Sequence, residues 1–409
     1  MNLLLQSTIV NRKSEIKISG SKSETNRLLL LQALYPNITL ENISNSDDSE
    51  VMEKALKSND SLIDIHHAGT AMRFLTGYFA IQEGREIVLT GSSRMQERPI
   101  KILVNALQQL GAEISYEVNE GFPPIRIKGK KLTQNKVSLP ANVSSQYISA
   151  LILIAPKLEN GLELTLEGEI TSVPYIKMTL ALLNEIGVET SFKNNIIKVN
   201  HISKIVNQKS TIESDWSSAS YFYSIVALSP IGTEITLSSY KQNSLQGDSV
   251  LAEIYKEFGV ETTFDNNSSM TISKSKIKNQ KSLIYNLNAS PDIAQTIAVT
   301  CFGLGIACHL TGLHTLKIKE TDRLEALRNE LSKLGATISV TNDSLTIQQS
   351  NNLNSNIKIA TYQDHRMAMA FAPLALKIPI IIEDADVVSK SYPNFWNDLK
   401  SIGFQMEEQ

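Results

Sequence analysis

The chain has 409 residues, of which 42% are hydrophobic and 20% are charged, proportions typical of a globular protein with ample core. Its formal net charge of −3 and the absence of a long Lys/Arg run argue against a nucleic-acid surface or a basic tail. The longest early apolar run, residues 3–5, is too short for a signal peptide or a membrane span. Both cysteines, Cys301 and Cys308, lie in one apolar stretch, which indicates buried thiols rather than a disulfide frame. We therefore expect a soluble cytoplasmic protein of two or three domains.

Residues 19–34, SGSKSETNRLLLLQAL, place small residues and Lys22 ahead of a leucine-rich helix, with Arg27 one turn further on. An ATPase phosphate loop is excluded, because its lysine directly follows a glycine and this one does not. Backbone N–H groups, the helix dipole and a cation at one helix start suit a small anion. An ordinary helix capped by Ser21 or Ser23 is the alternative interpretation.

Five later segments share one pattern, in which an apolar helical period is followed by a glycine and then by residues alternating as in a strand. The spacings between successive glycines are 76, 72, 76 and 68 residues, and the glycines are Gly111, Gly187, Gly259, Gly335 and Gly403. Asn-Asn and Asn-Asp pairs after two of these segments suit hairpin turns. The first unit, around residues 20–90, lacks the glycine, and its helix is expected to end at Ser58, Asn59 and Asp60. The repeat predicts an α/β (α+β) fold of six helix-and-sheet units, most simply two lobes of three units each.

The two lobes are expected to divide where the sequence changes from polar strand to a new Ser-capped helix, within residues 201–222. We place one crossing between Ser19 and Gly20 and the other at residues 213–215. The predicted N-terminal lobe is residues 20–213. Residues 1–19 would complete a C-terminal lobe of residues 214–409, with the active site in the cleft between the lobes.

Several short motifs place a cation where a predicted strand passes into a predicted helix. Each motif is weak alone, but together they suit a ligand with several negative charges, because Arg binds carboxylate and phosphate at two points. The motifs contain Gly69, Thr70 and Arg73; Arg94 and Arg98; Lys317, Lys319 and Arg323; His365 and Arg366; and Lys390.

Two acids lie among these cations. Asp292 follows a proline, where helix capping is the alternative role, and Glu320 lies between Lys319 and Arg323, where a salt bridge is the alternative. A carboxylate among cations is held ionised, so either acid could accept a proton. No metal site is expected, since the adjacent His66 and His67 point apart on a regular element. The acidic stretch 46–50 is better interpreted as a helix N-terminus than as a cation site.

The motifs together resemble the enolpyruvyl transferase family, and within it the branch that acts in the shikimate pathway. The resemblance covers nearly the whole chain and is most specific at KETDRL and AGTAMR. The stretches that carry it are GSKSETNR, AGTAMRFLTG, RMQERPI, SSQYISAL, DWSSASYF, QGD, SPDIAQT, KETDRLEAL, DHRMAMAF and SKSYPNFW.

The resemblance implies two lobes, each of three βαβαββ units. It implies transfer of the enolpyruvyl group of phosphoenolpyruvate to the 5-hydroxyl of shikimate 3-phosphate, with release of phosphate, on the route to chorismate and the aromatic amino acids. The family's reaction is an addition–elimination through a tetrahedral intermediate. The resemblance further implies a monomer with no metal, no cofactor, no nucleic acid and no membrane partner.

Matching positions imply the substrate ligands. Those for shikimate 3-phosphate would be Lys22, Ser23, Arg27, Ser144, Ser145, Gln146, Ser172, Tyr175, Asp292, Thr315 and Lys319. Those for phosphoenolpyruvate would be Lys22, Gly69, Arg98, Gln146, Arg323, Arg366 and Lys390. Asp292 would accept the 5-hydroxyl proton, and Glu320 and Lys22 are the candidates for proton transfer at the methylene carbon.

Four positions depart from the commonest family pattern, and they are His67, Phe74, Val173 and Thr315. One rival is the branch that acts on UDP-N-acetylglucosamine, which typically carries a reactive cysteine in its first-encountered lobe. Residues 1–300 of this chain contain no cysteine. A second rival is a non-catalytic anion-binding descendant, and the retained site residues argue against lost activity.

Overall fold

The computed structural model of the chain describes residues 1–7, 13–142, 144–265, 268–276 and 282–409. Its strands are β1 (Leu3–Ser7), β2 (Lys13–Ile16), β3 (Ile38–Glu41), β4 (Leu62–Asp64), β5 (Glu86–Thr90), β6 (Glu113–Tyr116), β7 (Ile125–Lys128), β8 (Lys136–Pro140), β9 (Leu162–Glu167), β10 (Thr190–Lys193), β11 (Ile196–Val199), β12 (Gln208–Thr211), β13 (Glu234–Ser238), β14 (Val260–Phe264), β15 (Ser269–Lys274), β16 (Ser282–Asn286), β17 (Ala307–Thr311), β18 (Ile338–Val340), β19 (Leu345–Ile347), β20 (Ile357–Ile359), β21 (Ile380–Ile382) and β22 (Phe404–Glu408).

The α-helices are α1 (Lys22–Leu34), α2 (Asp47–Lys57), α3 (Gly69–Ala80), α4 (Ser93–Gln96), α5 (Lys101–Gln109), α6 (Ser145–Ile154), α7 (Val173–Glu185), α8 (Trp216–Leu228), α9 (Leu251–Ile254), α10 (Ala294–Leu304), α11 (Arg323–Lys333), α12 (His365–Phe371) and α13 (Phe395–Ser401). Short 3-10 helices lie at Ala155–Lys157, Gly247–Val250, Tyr255–Phe258, Pro291–Ile293, His314–Ile318, Ala372–Leu376 and Ala385–Lys390.

The chain divides into two compact units. The N-terminal unit is Gly20–Ile212, and the C-terminal unit is Met1–Ser19 together with Glu213–Gln409. The predicted boundary placed Glu213 in the other lobe. Its buried carboxylate instead accepts hydrogen bonds from Trp216 Nε1 and Ser244 Oγ, at 2.8 and 2.7 Å, within the C-terminal unit. Residue 213 therefore belongs with the residues that follow it.

The N-terminal unit contains three sheets in the described part of the chain. Two are four-stranded, in the orders β4-β5-β7-β6 and β8-β9-β11-β10. In each, the first two strands are parallel and are joined through a helix, and the last two form an antiparallel hairpin, which is the βαβαββ order. The third sheet has only the parallel strands β3 and β12. It is smaller because α2 leads directly into β4, so the first unit has no hairpin of its own.

In its described residues, the C-terminal unit contains three four-stranded sheets, in the orders β2-β13-β15-β14, β16-β17-β19-β18 and β20-β21-β1-β22. The first residues of the chain complete two of them. β1 lies between β21 and β22 and is antiparallel to both, and β2 runs parallel to β13. The sheets repeat the order seen in the N-terminal unit, with β1 taking the place of one hairpin strand.

The repeated glycines have the backbone conformation that the pattern predicted. All five follow a helix and have φ between 70° and 107°, a range that a side-chain-bearing residue adopts at a cost. Asn194 and Asn195 both have positive φ and form the turn between β10 and β11, as predicted. The first helix without a glycine ends at Ser58, as expected.

Two helices of the C-terminal unit are buried nearly all round. α8 and α10 pack with the inner faces of the sheets in one continuous apolar core, which includes Trp216 and Phe302. Cys301 and Cys308 are both free thiols buried in this core, as predicted. In the described residues, no helix combines the length and apolar character needed to cross a membrane.

We expect Gly111→Ala to lower the stability of the chain by about 1–2 kcal/mol, because φ at this position is 101° while the space around an added Cβ is nearly open. The effect would be measured as a lower urea midpoint. Asn105→Ala, at an exposed position of α5, is the control and should shift the stability by less than about 0.5 kcal/mol. Equal midpoints for the two variants would contradict the backbone argument.

Candidate active site

One buried guanidinium organises the candidate site of the C-terminal unit. Arg323, 2% exposed at the start of α11, donates from Nε to Asp364 Oδ2 at 2.6 Å. Its Nη1 donates to Asp292 Oδ1 at 2.9 Å, and its Nη2 donates to Glu320 Oε2 at 2.8 Å. The salt bridge between Glu320 and Arg323 is one of the two roles predicted for Glu320, and the other is that of proton acceptor. The guanidinium is thus engaged by three carboxylates, and its role as a phosphoenolpyruvate ligand stays a prediction.

Asp292 lies among three cations. Besides Arg323, it faces Lys319 Nζ at 3.4 Å from Oδ1 and Arg366 Nη2 at 3.4 Å from Oδ2. Burial by itself would raise the pKa of this carboxyl, but Lys319, Arg366 and Arg323 together hold it well below its usual range. The carboxylate is therefore ionised, as its predicted role as proton acceptor requires.

The backbone around Asp292 also meets this cluster. Its carbonyl oxygen accepts a hydrogen bond from Arg366 Nη1 at 3.3 Å. Asp292 lies in the 3-10 helix Pro291–Ile293, and its carboxylate makes no capping bond there among the described residues, so the capping alternative is wrong. The Asp292 carboxylate instead pairs with Lys319, Arg323 and Arg366.

Two further acids complete the cluster, and the motifs that contain them gave no role to either. Asp364, fully buried, caps α12 by accepting from Arg366 N at 2.9 Å while it binds Arg323. Asp248, in the QGD motif, accepts a short hydrogen bond from Ser217 Oγ, and the same hydroxyl accepts from Arg366 Nη2 at 3.3 Å. Both acids lie inside stretches that carry the family resemblance, Asp248 in QGD and Asp364 in DHRMAMAF. Those stretches are the sequence signal that could have identified them.

Two other predicted residues of this unit, Lys390 and Thr315, lie in short 3-10 helices. Lys390 Nζ donates to the carbonyl oxygen of Gln363, just before α12, at 2.8 Å. Thr315 lies in the 3-10 helix His314–Ile318, and its buried Oγ1 has no hydrogen-bond partner among the described residues. A buried hydroxyl without a partner fits a ligand position. Thr315 therefore stays a predicted ligand despite its departure from the family pattern.

In the N-terminal unit, several predicted ligands lie at helix starts that no side chain caps within the described residues. α1, α3 and α7 begin without a side-chain capping bond, whereas Ser46 caps α2 in the ordinary way. The alternative of an ordinary capped helix is therefore wrong for α1, because Ser21 stands at the cap position without making the bond. Uncapped N–H groups at a helix start can bind an anion.

Lys22, the first residue of α1, pairs with an acid that the sequence placed at another helix start. Its Nζ lies 3.1 Å from Asp48 Oδ2 in the first turn of α2, and both side chains are largely buried. The interpretation of residues 46–50 as a helix N-terminus is confirmed, since Ser46 accepts from Ser49 N. Besides its place in the first turn of α2, Asp48 forms an ion pair with the Lys22 ammonium.

Arg27 is buried and makes its hydrogen bonds to uncharged groups. Nε donates to Thr179 Oγ1 at 2.7 Å and Nη1 to the Ser23 carbonyl at 2.6 Å, while Nη2 approaches Tyr175 O at 3.5 Å. The guanidinium also lies over the ring of Phe74, 5.3 Å from its centroid. Burial lowers the pKa of Arg27 to about 10. Arg27 thus joins the starts of α1 and α7, which carry four other predicted ligands of shikimate 3-phosphate, namely Lys22, Ser23, Ser172 and Tyr175.

Arg98 rests against the backbone of Gly69 at the start of α3. A Cβ added to Gly69 would lie 2.6 Å from Arg98 Nη1, a clash, so the glycine allows this close approach. Next to it, Gln146 Nε2 donates to Thr70 Oγ1 at 3.1 Å, which joins the start of α6 to that of α3. Three of the predicted phosphoenolpyruvate ligands are therefore grouped at two adjacent helix starts.

The remaining predicted residues frame α6 and α7. Ser144 caps α6 by accepting from Gln146 N at 3.3 Å, and Ser145 is its first residue. Ser172 has φ 53° at the start of α7, with Val173 next to it in the first turn. The other departure, His67, lies outside the helix, where its Nδ1 is 2.7 Å from Ser92 Oγ. Within each unit, most of the predicted residues thus lie at or next to helix starts.

The pKa of Asp248 predicts a pH dependence of stability. Burial and the neighbouring Asp292 raise this pKa from 3.8 to about 6, against the opposing effects of Arg366 and Ser217. An acid with a raised folded pKa contributes stability that is complete below pH 3.8 and is lost as pH rises through about 6, at most about 3 kcal/mol. Asp248→Asn removes this loss. We expect its urea midpoint to rise relative to the parent between pH 4.5 and pH 7, and a constant difference would contradict the assignment.

Comparison with known proteins gives consistent matches over the chain. The family model described as EPSP synthase (3-phosphoshikimate 1-carboxyvinyltransferase) matches residues 54–399. A 3-phosphoshikimate 1-carboxyvinyltransferase of Bacteroides fragilis is 46% identical over 400 residues, 96% of each chain. One from Haemophilus influenzae is 35% identical over 421 residues, 95% of this chain and 96% of that protein.

Solved structures support the fold. An EPSP synthase from Acinetobacter baumannii superposes with a TM-score of 0.81 over 100% of both chains, at 20% identity. At that identity the match speaks for the fold alone. The family model and the relatives establish that this chain belongs to the EPSP synthase family, the 3-phosphoshikimate 1-carboxyvinyltransferases.

Proposed function

We propose that the chain transfers the enolpyruvyl group of phosphoenolpyruvate to the 5-hydroxyl of shikimate 3-phosphate, with Asp292 as the base that accepts the hydroxyl proton. The observation that carries the proposal is the position of Asp292 among Lys319, Arg323 and Arg366. A buried carboxylate next to cations can take a proton from an alcohol whose other groups those cations bind. Both substrates are polyanions, so the cations also offset their mutual repulsion.

Phosphoenolpyruvate would bind to Lys22, to Gly69, Arg98 and Gln146 in the N-terminal unit, and to Arg366 and Lys390 in the C-terminal unit. Arg323 would act mainly by fixing Asp292, since its own N–H groups are engaged. Charge-assisted contacts of this kind are each worth about 1.5–3 kcal/mol. Their two-point geometry also orients the carboxylate and the phosphate.

Shikimate 3-phosphate would bind to the serines at the helix starts, Ser23, Ser144, Ser145 and Ser172, and to Tyr175, Lys319 and Thr315. The uncapped N–H groups of α1 and α7 favour its phosphate. Arg27, with uncharged hydrogen-bond partners and a lowered pKa, gains stability from an anion nearby. Binding both substrates at once would align the 5-hydroxyl with the enol carbon.

The proton steps follow from the charges. The 5-hydroxyl oxygen bonds to C2 of phosphoenolpyruvate as its proton passes to Asp292, while the methylene carbon gains a proton from Glu320 or Lys22. The resulting tetrahedral intermediate then expels phosphate, which takes the proton from Asp292, and the methyl group returns its proton to the residue that donated it. Glu320 would serve as that donor in its protonated form, and Lys22 as its ammonium. Substrate anions offset Lys319 and Arg366, so the pKa of Asp292 rises when both substrates are bound, and the carboxylate becomes a better base.

The two rival activities are less well supported. In the UDP-N-acetylglucosamine branch a reactive cysteine is typical, but both cysteines of this chain are buried in the core of the C-terminal unit. A non-catalytic descendant has no need of the carboxylates around Arg323. We further propose that the enzyme works as a cytoplasmic monomer.

The function is tested by phosphate release from phosphoenolpyruvate plus shikimate 3-phosphate, with EDTA present. We expect release with this acceptor and none in a parallel reaction with UDP-N-acetylglucosamine. Release with UDP-N-acetylglucosamine as the acceptor, but not with shikimate 3-phosphate, would establish the rival branch. Binding of shikimate 3-phosphate by calorimetry without any release would support the non-catalytic alternative.

Asp292→Asn should reduce turnover by at least about 10²-fold, because an amide cannot accept the proton, while calorimetric affinity for shikimate 3-phosphate stays nearly unchanged. Asp386→Asn is the matched control, since Asp386 is an exposed aspartate of the same unit that pairs with the N-terminal amine. Its turnover should equal that of the parent. Near-normal turnover in the Asp292 variant would remove this residue from the role of base.

A further inference from the structure

The turn before α12 has an unusual backbone. Tyr362 and Gln363 are consecutive residues with φ of 54° and 55°, the left-handed conformation that glycine adopts easily and other residues do not. Two such residues in succession persist only where the surroundings enforce them. They lie between two fully buried residues, Thr361 and Asp364.

A buried carboxylate outside the reaction scheme enforces this turn. Glu330, fully buried on α11, accepts from the Tyr362 hydroxyl at 2.7 Å on Oε1 and from Ala360 N at 3.1 Å on Oε2. Lys333 Nζ lies 2.7 Å from the same Oε2 and balances the charge. The turn closes on itself through Asp364 N, which donates to Thr361 O at 2.9 Å. Glu330 thus holds the turn through two hydrogen bonds, one from the backbone amide of Ala360 and one from the side-chain hydroxyl of Tyr362.

This turn also sets the positions of two cations that follow it in the chain, Arg366 and Lys390. The carbonyl oxygen of Gln363 accepts from Lys390 Nζ at 2.8 Å. The next residue, Asp364, begins α12 by capping Arg366 N and also binds Arg323. A change in the backbone at residues 362–363 would therefore move Lys390 and Arg366 together.

We propose that Glu330, acting through the Tyr362 hydroxyl, is a positioning residue for phosphoenolpyruvate: it holds the left-handed turn that places Lys390 and the start of α12. The inference rests on the proposed function in one respect, namely that Lys390 and Arg366 bind phosphoenolpyruvate. Glu330 itself touches neither substrate in this scheme. Its effect passes through the backbone of two residues.

The hydroxyl of Tyr362 is the sharper probe, because replacing a fully buried acid would destabilise the whole chain. The ring is partly exposed, so Tyr362→Phe removes the hydroxyl, with its hydrogen bonds to Glu330 and Asn329, and little else. In the phosphate-release assay with the full chain we expect KM for phosphoenolpyruvate to rise about 3- to 10-fold, with KM for shikimate 3-phosphate changed by less than about 2-fold. Equal changes in both KM values, or a change in neither, would overturn the proposal.

Two further variants separate positioning from general stability. Lys333→Met removes the other side-chain partner of Glu330 without touching the turn, so its KM for phosphoenolpyruvate should equal that of the parent. Adding Gln363→Gly to Tyr362→Phe should restore much of the lost affinity, because glycine adopts the left-handed conformation without help. A double variant no better than Tyr362→Phe would contradict the role of the strained turn.

Lys390→Met distinguishes failure of this inference from failure of the proposed site. A raised KM for phosphoenolpyruvate in Lys390→Met with a normal KM in Tyr362→Phe would leave the site in place and reject Glu330 as its positioning residue. An unchanged KM in Lys390→Met would remove Lys390 from the site and overturn both.

Discussion

The C-terminal unit depends on the burial of one guanidinium, that of Arg323, against three carboxylates. A buried ion cluster of this kind is costly to desolvate and contributes little net stability, but removing one member leaves the others buried without a counter-charge, at a cost of about 3–5 kcal/mol. The cluster therefore fixes geometry rather than adding stability. Asp364 belongs to the start of α12, Glu320 precedes α11 and Asp292 lies before α10, so one side chain sets the relative positions of three helix starts.

The buried arginine of the N-terminal unit, Arg27, has a different set of hydrogen-bond partners. Arg27 is as buried as Arg323, yet its hydrogen bonds go to hydroxyl and carbonyl oxygens. Its lowered pKa reflects a charge that burial disfavours more than the neighbouring Tyr175 and Glu24 favour it, and a further anion would raise that pKa. The uncapped starts of α1, α3 and α7 have the same preference for negative charge. The N-terminal unit thus offers a buried cation and uncapped helix starts that favour an anion, and the C-terminal unit contains carboxylates held by cations.

The sequence predicted the features that are encoded locally. The helix-ending glycines, the Asn-Asn hairpin and the end of α2 at Ser58 follow from conformational preferences of a few neighbouring residues. The Glu320–Arg323 salt bridge was predictable as well, because the two residues are three positions apart. The partners of Arg323 at positions 292 and 364 were not, since they are brought to it by tertiary packing. Ser21 shows the converse: its residue type is typical of a cap, but the cap bond is absent in the described structure.

Helix α11 connects the charged cluster to the strained turn. Arg323 and Glu330 are seven residues apart, two helical turns, and so lie on the same face of α11. Arg323 binds Asp364 at the start of α12, and Glu330 binds Ala360 and Tyr362 just before it. The segment from 360 to 366 is therefore held at both ends by one rigid helix, which is what two consecutive left-handed residues require in order to persist. Because this segment also supplies Arg366 and the carbonyl that receives Lys390, the energy of the strained backbone is balanced by contacts outside the reaction, and the cations are fixed before any substrate arrives.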